Sequence, residues 1–277
     1  LETYTDSVMP MHMPGHKRNT YLAPYLQRLS ADLDMTETEG LDNLHGAEGI
    51  LLEGMERTAA LWGSKRAYWL VNGSTCGVLA GIYAAVPAGG KVICARNCHK
   101  AVYNGLLLTG ADPVFVMPEV DCETGIYGPV RTEAIKELLD RHPDTKLVIL
   151  TSPTYEGTSS DIPELCRIAH ARGVPVLVDE AHGAHFGFGH GFPDGAVRAG
   201  ADIVVQSLHK TLPSLTQTAV LHLNGDLVNM QLVADALAIF ETSSPSYLLM
   251  SSISCCTELM CEKGEILLDA WQGRLTK

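Results

Sequence analysis

Apolar residues along this chain gather in short runs separated by longer amphipathic stretches. The runs at 67–71, 91–94, 113–117, 147–151, 174–178, 203–206 and 218–223 are brief and either apolar throughout or alternating, and each predicts a strand. Between them, 48–62, 76–85, 132–140, 162–171 and 227–240 carry helical spacing of apolar positions. Strands apolar on both faces that alternate with helices predict a layered α/β domain with a mostly parallel central sheet. Such a sheet collects ligands at the carboxyl ends of its strands, so the polar residues that follow each run carry the functional reading.

The first of these ends is Val71-Asn72-Gly73-Ser74-Thr75-Cys76-Gly77. Gly73 relaxes the turn, the hydroxyls of Ser74 and Thr75 can donate, and free amides at a helix start suit a phosphate. Ordinary N-capping by Ser74 or Thr75 is the plainer reading of the same residues. The turn is neither a Walker loop nor a dinucleotide fingerprint, since the later glycines and the lysine of those motifs are absent.

Asp179 closes the run Val174-Pro175-Val176-Leu177-Val178, and Lys210 follows the run Ile203-Val204-Val205-Gln206-Ser207-Leu208-His209. A strand-end lysine can form an imine with an aldehyde, and a strand-end carboxylate can keep a pyridine nitrogen protonated. Together with a phosphate turn they point to a pyridoxal phosphate enzyme. Ser207 and His209 lie near enough in sequence to touch the phosphate. A strand-end cap or a magnesium ligand competes for Asp179, and a surface lysine is the plain alternative for Lys210. His99, after Arg96-Asn97-Cys98, sits at another strand-to-helix transition, where stacking on a cofactor ring and capping of the helix both fit. His182, His185 and His190 are spaced along a glycine-rich loop rather than one helical face, and no metal is expected there.

Composition narrows the setting. The 277 residues suffice for one large domain, and an apolar fraction of 46% fills a sizeable core. A formal charge of −12 disfavours nonspecific binding to nucleic acid or to an anionic membrane. Eight cysteines are sparse for this length, and with no evident signal peptide or long apolar segment the expectation is a reduced, cytoplasmic protein. Cys94 and Cys98 are one residue too far apart for the redox Cys-x-x-Cys pattern, and Cys255-Cys256 has no second pair to complete a zinc site. Most cysteines therefore read as core filler.

Six stretches taken in order make the chain resemble the major, cofactor-binding domain of the prokaryotic ornithine/lysine/arginine decarboxylases. They are Met13-Pro14-Gly15-His16-Lys17, Gly46-Ala47-Glu48-Gly49-Ile50, Val71-Asn72-Gly73-Ser74-Thr75, Arg96-Asn97-Cys98-His99-Lys100, Asp179-Glu180-Ala181-His182-Gly183-Ala184-His185 and Gln206-Ser207-Leu208-His209-Lys210-Thr211. The resemblance implies fold type I, a three-layer domain like that of aspartate aminotransferase. It implies that Lys210 holds pyridoxal phosphate, Asp179 pairs with its ring nitrogen, His99 and Ala181 lie on its two faces, and His182 approaches its phenolic oxygen. Ser74, Thr75, Cys76, Ser207 and His209 become phosphate contacts.

The implied reaction is decarboxylation of lysine, arginine or ornithine, with transamination, β-elimination or cofactor binding without turnover as alternatives. A homodimer or higher oligomer is implied as well. Residues 1–60 read as an N-terminal segment and 61–245 as the cofactor-binding domain. Residues 246–277 read as its end or the start of a carboxyl-terminal domain that the family normally carries and this chain is expected to lack.

Overall fold

Short strands that are apolar on both faces can bury themselves and pair their backbone groups only as interior members of a covered sheet. In a computed structural model, which describes residues 1–275 apart from 20, 22, 23 and 39, they do so as one seven-stranded sheet. In chain order the elements are α1 (Glu2–Ser7), α2 (Ile50–Trp62), β1 (Arg66–Leu70), α3 (Gly73–Ala85), β2 (Lys91–Ala95), α4 (Lys100–Thr109), β3 (Asp112–Val116), α5 (Thr132–Arg141) and β4 (Thr145–Thr151). Then follow α6 (Ile162–His170), β5 (Val176–Asp179), β6 (Ile203–Gln206), α7 (Leu208–Thr211), β7 (Ala219–Leu223), α8 (Met230–Phe240) and α9 (Tyr247–Leu275).

The strand order is β1-β7-β6-β5-β4-β2-β3. Parallel pairing joins β3 to β2, β2 to β4, β4 to β5 and β5 to β6, while β7 runs antiparallel to both β6 and β1. β1 therefore points the same way as the parallel strands, and the ends of β1, β2, β4, β5 and β6 emerge along one edge of the layer.

Alternation along the strands divides the interior in two, giving three layers. One core gathers Leu177, Ile203, Val205, Ala219 and Leu221 with Val78 and Ile82 of α3, Val102 and Leu106 of α4, and Val233 and Leu237 of α8. The other gathers Val176, Val178, Val204 and Val220 with residues of α2, α5, α6 and α9. α9 joins it through Tyr247, Met250, Ile253, Cys256, Met260 and Leu268, a helical succession of buried positions interrupted by small and polar residues. Cys76, Cys94, Cys98, Cys166 and Cys256 are buried, whereas Cys122, Cys255 and Cys261 are exposed.

Where α2 crosses β1, Gly54 permits a close approach: a Cβ there would lie 2.3 Å from Cη2 of Trp69. The Trp69 indole N–H donates to Thr58 Oγ1 at 2.9 Å, and Thr58 in turn donates to the Gly54 carbonyl at 2.9 Å. Both buried polar side chains at this crossing are thereby bonded. Among the described residues, no helix is long and apolar enough to cross a membrane.

Candidate functional site

Every polar residue singled out at a strand end comes to the same edge of the sheet. β1 turns at Asn72 into α3, which begins at Gly73 rather than Cys76, so Ser74 and Thr75 lie inside its first turn. Neither caps the helix: the N-cap is Asn72, with no side-chain bond to the first turn. Ordinary capping is thereby excluded for both, and their N–H groups, which precede the first intrahelical donor at Cys76, stay available. Gly73 adopts φ +74° with open space where a Cβ would stand, and its own N–H is taken by the Gln217 carbonyl at 2.8 Å. Cys76 is buried, its thiol donates to the Gly73 carbonyl at 3.0 Å, and burial pushes its pKa up to about 12.

Asp179 is the last residue of β5 and is 4% exposed. Among the described residues its carboxylate has a single donor, the Ala181 N–H at 3.2 Å. Burial raises its pKa, and the nearby charges of Lys210 and His99 offset this only in part. Such a carboxylate calls for a further cationic or N–H partner, and no second donor reaches it among the described residues.

Lys210, exposed on the short helix α7, brings Nζ to 3.2 Å from Nε2 of His182. Burial, and then the adjacent Lys210 charge, lower the His182 pKa, so the ring is neutral at pH 7 and its Nε2 accepts from the lysine. Tyr155, in the loop after β4, sets its ring edge-on to His182 with centroids 5.4 Å apart. His99 does cap α4: its Nδ1 accepts from the Ala101 N–H at 3.2 Å, which fixes the imidazole while leaving the residue exposed.

Ser207 follows β6, fully buried, and its hydroxyl has no partner among the described residues. Among the described residues, the hydroxyls of Thr151 and Thr211 and the side-chain oxygen of Asn97 are likewise buried without a partner. Buried hydroxyls are normally bonded, so a group of them along one sheet edge is what an absent multivalent acceptor leaves behind. His209 Nδ1 contacts the Thr218 carbonyl at 2.8 Å and must donate there, which leaves Nε2 as the ring atom available. Pyridoxal phosphate fits this donor set: hydroxyls and helix-start amides for a phosphate, a carboxylate for a ring N–H and an amine for an aldehyde.

The remaining loop histidines leave the site. His185 is buried among Phe186, Phe192 and Trp271, and burial lowers its pKa to about 4. His190 is exposed and pairs with Asp269 of α9 at 2.9 Å. Sequence reasoning missed Thr151, Thr211 and Tyr155, of which Thr151 carried the same strand-end signal as Asp179. It also missed two buried carboxylates. Glu180 bonds the Ala196 N–H and Gln206, and Glu241 accepts the Val71 N–H at 2.6 Å beneath the phosphate turn.

Comparison with known proteins agrees with this geometry. Residues 5–272 match the sequence model described as Orn/Lys/Arg decarboxylase, major domain. The uncharacterized protein YaaO of Bacillus subtilis is 44% identical over 246 residues, covering 87% of this chain and 51% of YaaO. An arginine decarboxylase of Halalkalibacterium halodurans is 35% identical, covering 93% of this chain and 53% of that enzyme. The chain thus spans about half the length of the curated relatives it matches. The lysine decarboxylase LdcF of Francisella novicida superposes with a TM-score of 0.81 at 21% identity, over 93% of this chain and 39% of that one. At that identity the likeness shows the fold, which serine palmitoyltransferase of Sphingomonas wittichii shares at a TM-score of 0.59, 20% identity and 74% and 49% coverage.

Proposed function

The chain belongs to the Orn/Lys/Arg decarboxylase family through its major domain, and on that premise we propose that it carries the cofactor site for α-decarboxylation of lysine, ornithine or arginine. The observation that carries the reading is the Lys210 amine, 3.2 Å from His182, beside a buried Asp179 with one donor and a buried Ser207 hydroxyl with none. Pyridoxal phosphate, when bound, supplies the aldehyde that takes an amine and the ring that accepts the electron pair left at Cα.

The chain's own residues do the rest. Lys210 would be the residue that holds the cofactor through its amine. Asp179 keeps the ring nitrogen protonated, and the low-dielectric pocket strengthens that pairing. The N–H groups of Ser74 and Thr75, the Ser207 hydroxyl and His209 Nε2 would bind the phosphate, with Cys76 packed beneath them. Ala181 and the capped imidazole of His99 would flank the cofactor ring, and the neutral His182, 3.2 Å from Lys210, would take or hold a proton beside it. Lys210 and His182 are the groups placed to return a proton to Cα.

Thr75, His99 and Lys210 are all exposed on this single chain. A site that excludes water needs a further wall, and a homodimer supplies it. The dimer is part of the proposal.

The first test is the absorption spectrum of the chain with added pyridoxal phosphate, before and after borohydride reduction, with peptide mapping of the modified lysine. Modification at Lys210, absent in a folded Lys210→Ala variant, supports the site; modification elsewhere overturns it. Release of carbon dioxide from lysine, ornithine or arginine then supports decarboxylation, whereas a keto acid product points to transamination.

A further inference from the structure

Behind the proposed cofactor residues, on the opposite face of the sheet, runs a buried polar chain to which no function above has been given. Alternation sets it there: Asp179 shares its face with Leu177 and Ser207 with Val205, against α3. Glu180, Gln206 and His222 follow Val178, Val204 and Val220 onto the other face. Glu180 is 2% exposed, and Gln206 and His222 are fully buried.

The direction of each bond follows from the donors. Glu180 Oε1 accepts from the Ala196 N–H at 2.7 Å, and Oε2 accepts from Gln206 Nε2 at 2.7 Å. Gln206 Oε1 must then accept from His222 Nε2–H at 3.1 Å, so His222 Nδ1 accepts from the Ser64 hydroxyl at 3.0 Å. Every donor from Ser64 to Gln206 is aimed toward one carboxylate. The arrangement requires a neutral His222, and burial lowers its pKa to about 3.

Glu180 is bonded in sequence to Asp179 and Ala181, and Gln206 to Ser207. The Glu180–Gln206 bond therefore ties the residue that would meet the ring nitrogen to the residue that would meet the phosphate. We propose that Glu180 is a positioning residue whose bonds to Gln206 and Ala196 fix Asp179 and Ser207 at the spacing pyridoxal phosphate requires, an inference that rests on the cofactor reading above. The last backbone bond joining the tips of β5 and β6 runs from the Glu180 N–H to the Val205 carbonyl at 2.9 Å, and the Glu180–Gln206 side-chain bond braces the two strands beneath the sheet just past it.

The chain of bonds also makes the test selective. Glu180→Gln can keep all of them by reversing their sense: the new amide accepts from the Ala196 N–H and donates to Gln206 Oε1, Gln206 donates to His222 Nε2, and His222 Nδ1–H donates to Ser64. Glu180→Asp keeps the carboxyl group and loses the reach.

The experiment is a titration of the purified chain with pyridoxal phosphate, followed by tryptophan fluorescence. The absorbance of the lysine-bound cofactor is then followed against pH, and unfolding of the cofactor-free chain is recorded alongside. Glu180→Gln is expected to bind within about 3-fold of the parent, with His222 switched to its Nδ1–H tautomer by nitrogen NMR. Glu180→Asp is expected to bind roughly 10-fold more weakly with a displaced absorbance midpoint. Parent-like affinity and midpoint in Glu180→Asp, with only cofactor-free stability reduced, would overturn the positioning role. A loss in Glu180→Gln that Glu180→Asp does not share would overturn it in favour of a need for the ionisable group. If the parent itself binds no cofactor at Lys210, the function proposed above falls first and this inference with it.

Discussion

Asp179 and Asp202 are two buried aspartates at opposite ends of the same pair of strands. Asp202 sits just before β6, and its Oδ2 accepts from the Val176 N–H and from His170 Nε2, each at 2.8 Å. Asp179 closes β5 with one donor at 3.2 Å. Both are nearly inaccessible to water, so burial does not explain the difference. At the amino end of the sheet the fold satisfies its own polar groups. Along the carboxyl edge it leaves a carboxylate half-served and the Thr151, Ser207 and Thr211 hydroxyls idle, a cost the folded chain bears without any structural gain.

The sharpest way to break this contrast is the same truncation at both aspartates. Asp202→Ala strands the Val176 N–H and the His170 ring, and should cost about 2–4 kcal/mol in urea unfolding of the cofactor-free chain. Asp179→Ala removes a poorly served charge, so cofactor-free stability should hold within about 1 kcal/mol or rise. Affinity for pyridoxal phosphate should fall roughly 30-fold or more. Equal destabilisation by the two changes would make Asp179 a structural residue.

Steric fit offers a second separation. Gly54→Ala pushes a methyl into the Trp69 ring, which cannot yield because its N–H is held by Thr58. The loss should be about 1–3 kcal/mol even after the helix propensity gained, with cofactor affinity of the folded fraction unchanged. An altered affinity would mean that the α2–β1 packing reaches the site.

The sequence held the strands and the site for unequal reasons. Apolar runs marked all seven strands within two residues, because burial on both faces leaves few polar positions. Lys210, Asp179 and Ser207 were legible because strand-end polar residues stand out against such runs. The reversal of β7 was not, since an interior strand reads alike in either direction. α9 was hidden because Thr257 and Gly264 interrupt its buried face while the apolar Ile266 and Leu267 lie exposed, which blurs the helical period. Glu180 and Gln206 read as ordinary neighbours of chemistry, as only the pleat reveals that they point to the far face and meet there. Asp202 drew no reading of its own, because its partners Val176 and His170 come from elements that the fold, not the chain order, brings to it.

Titration gives a graded version of the same contrast. Burial raises the Glu180 pKa to about 8 and the Glu241 pKa to about 7, so the folded chain holds protons that the unfolded chain has released. Stability from these groups is present at low pH and is lost as pH rises through the folded values. His185 and His222, lowered to about 4 and about 3, act oppositely, and their contribution is complete once pH exceeds the unfolded histidine value near 6.5. Between pH 6.5 and 8 the carboxylates therefore act without opposition from these histidines. Cofactor-free stability should fall there by at most about 1.4 kcal/mol per pH unit for each ionising group. Glu180→Gln should flatten the slope, and a slope unchanged by that substitution would remove Glu180 as its source.

The smallest effect compares two threonines under one substitution. Thr58 Oγ1 accepts the buried Trp69 N–H and donates to the Gly54 carbonyl, so Thr58→Val should cost about 1–3 kcal/mol. Thr151 ends β4 with a buried hydroxyl that bonds nothing, and Thr151→Val, which keeps the shape, should leave cofactor-free stability within about 0.5 kcal/mol. Paired unfolding curves decide this half of the comparison. Titration with pyridoxal phosphate, and then with a basic amino acid, decides the other: an affinity lost in Thr151→Val but kept in Thr58→Val would identify the idle hydroxyl as part of the ligand's shell. Unchanged affinity for both ligands would leave Thr151 an unbonded atom beside the site, and the carboxyl edge would then be defined by Asp179, Ser207 and Lys210 without it.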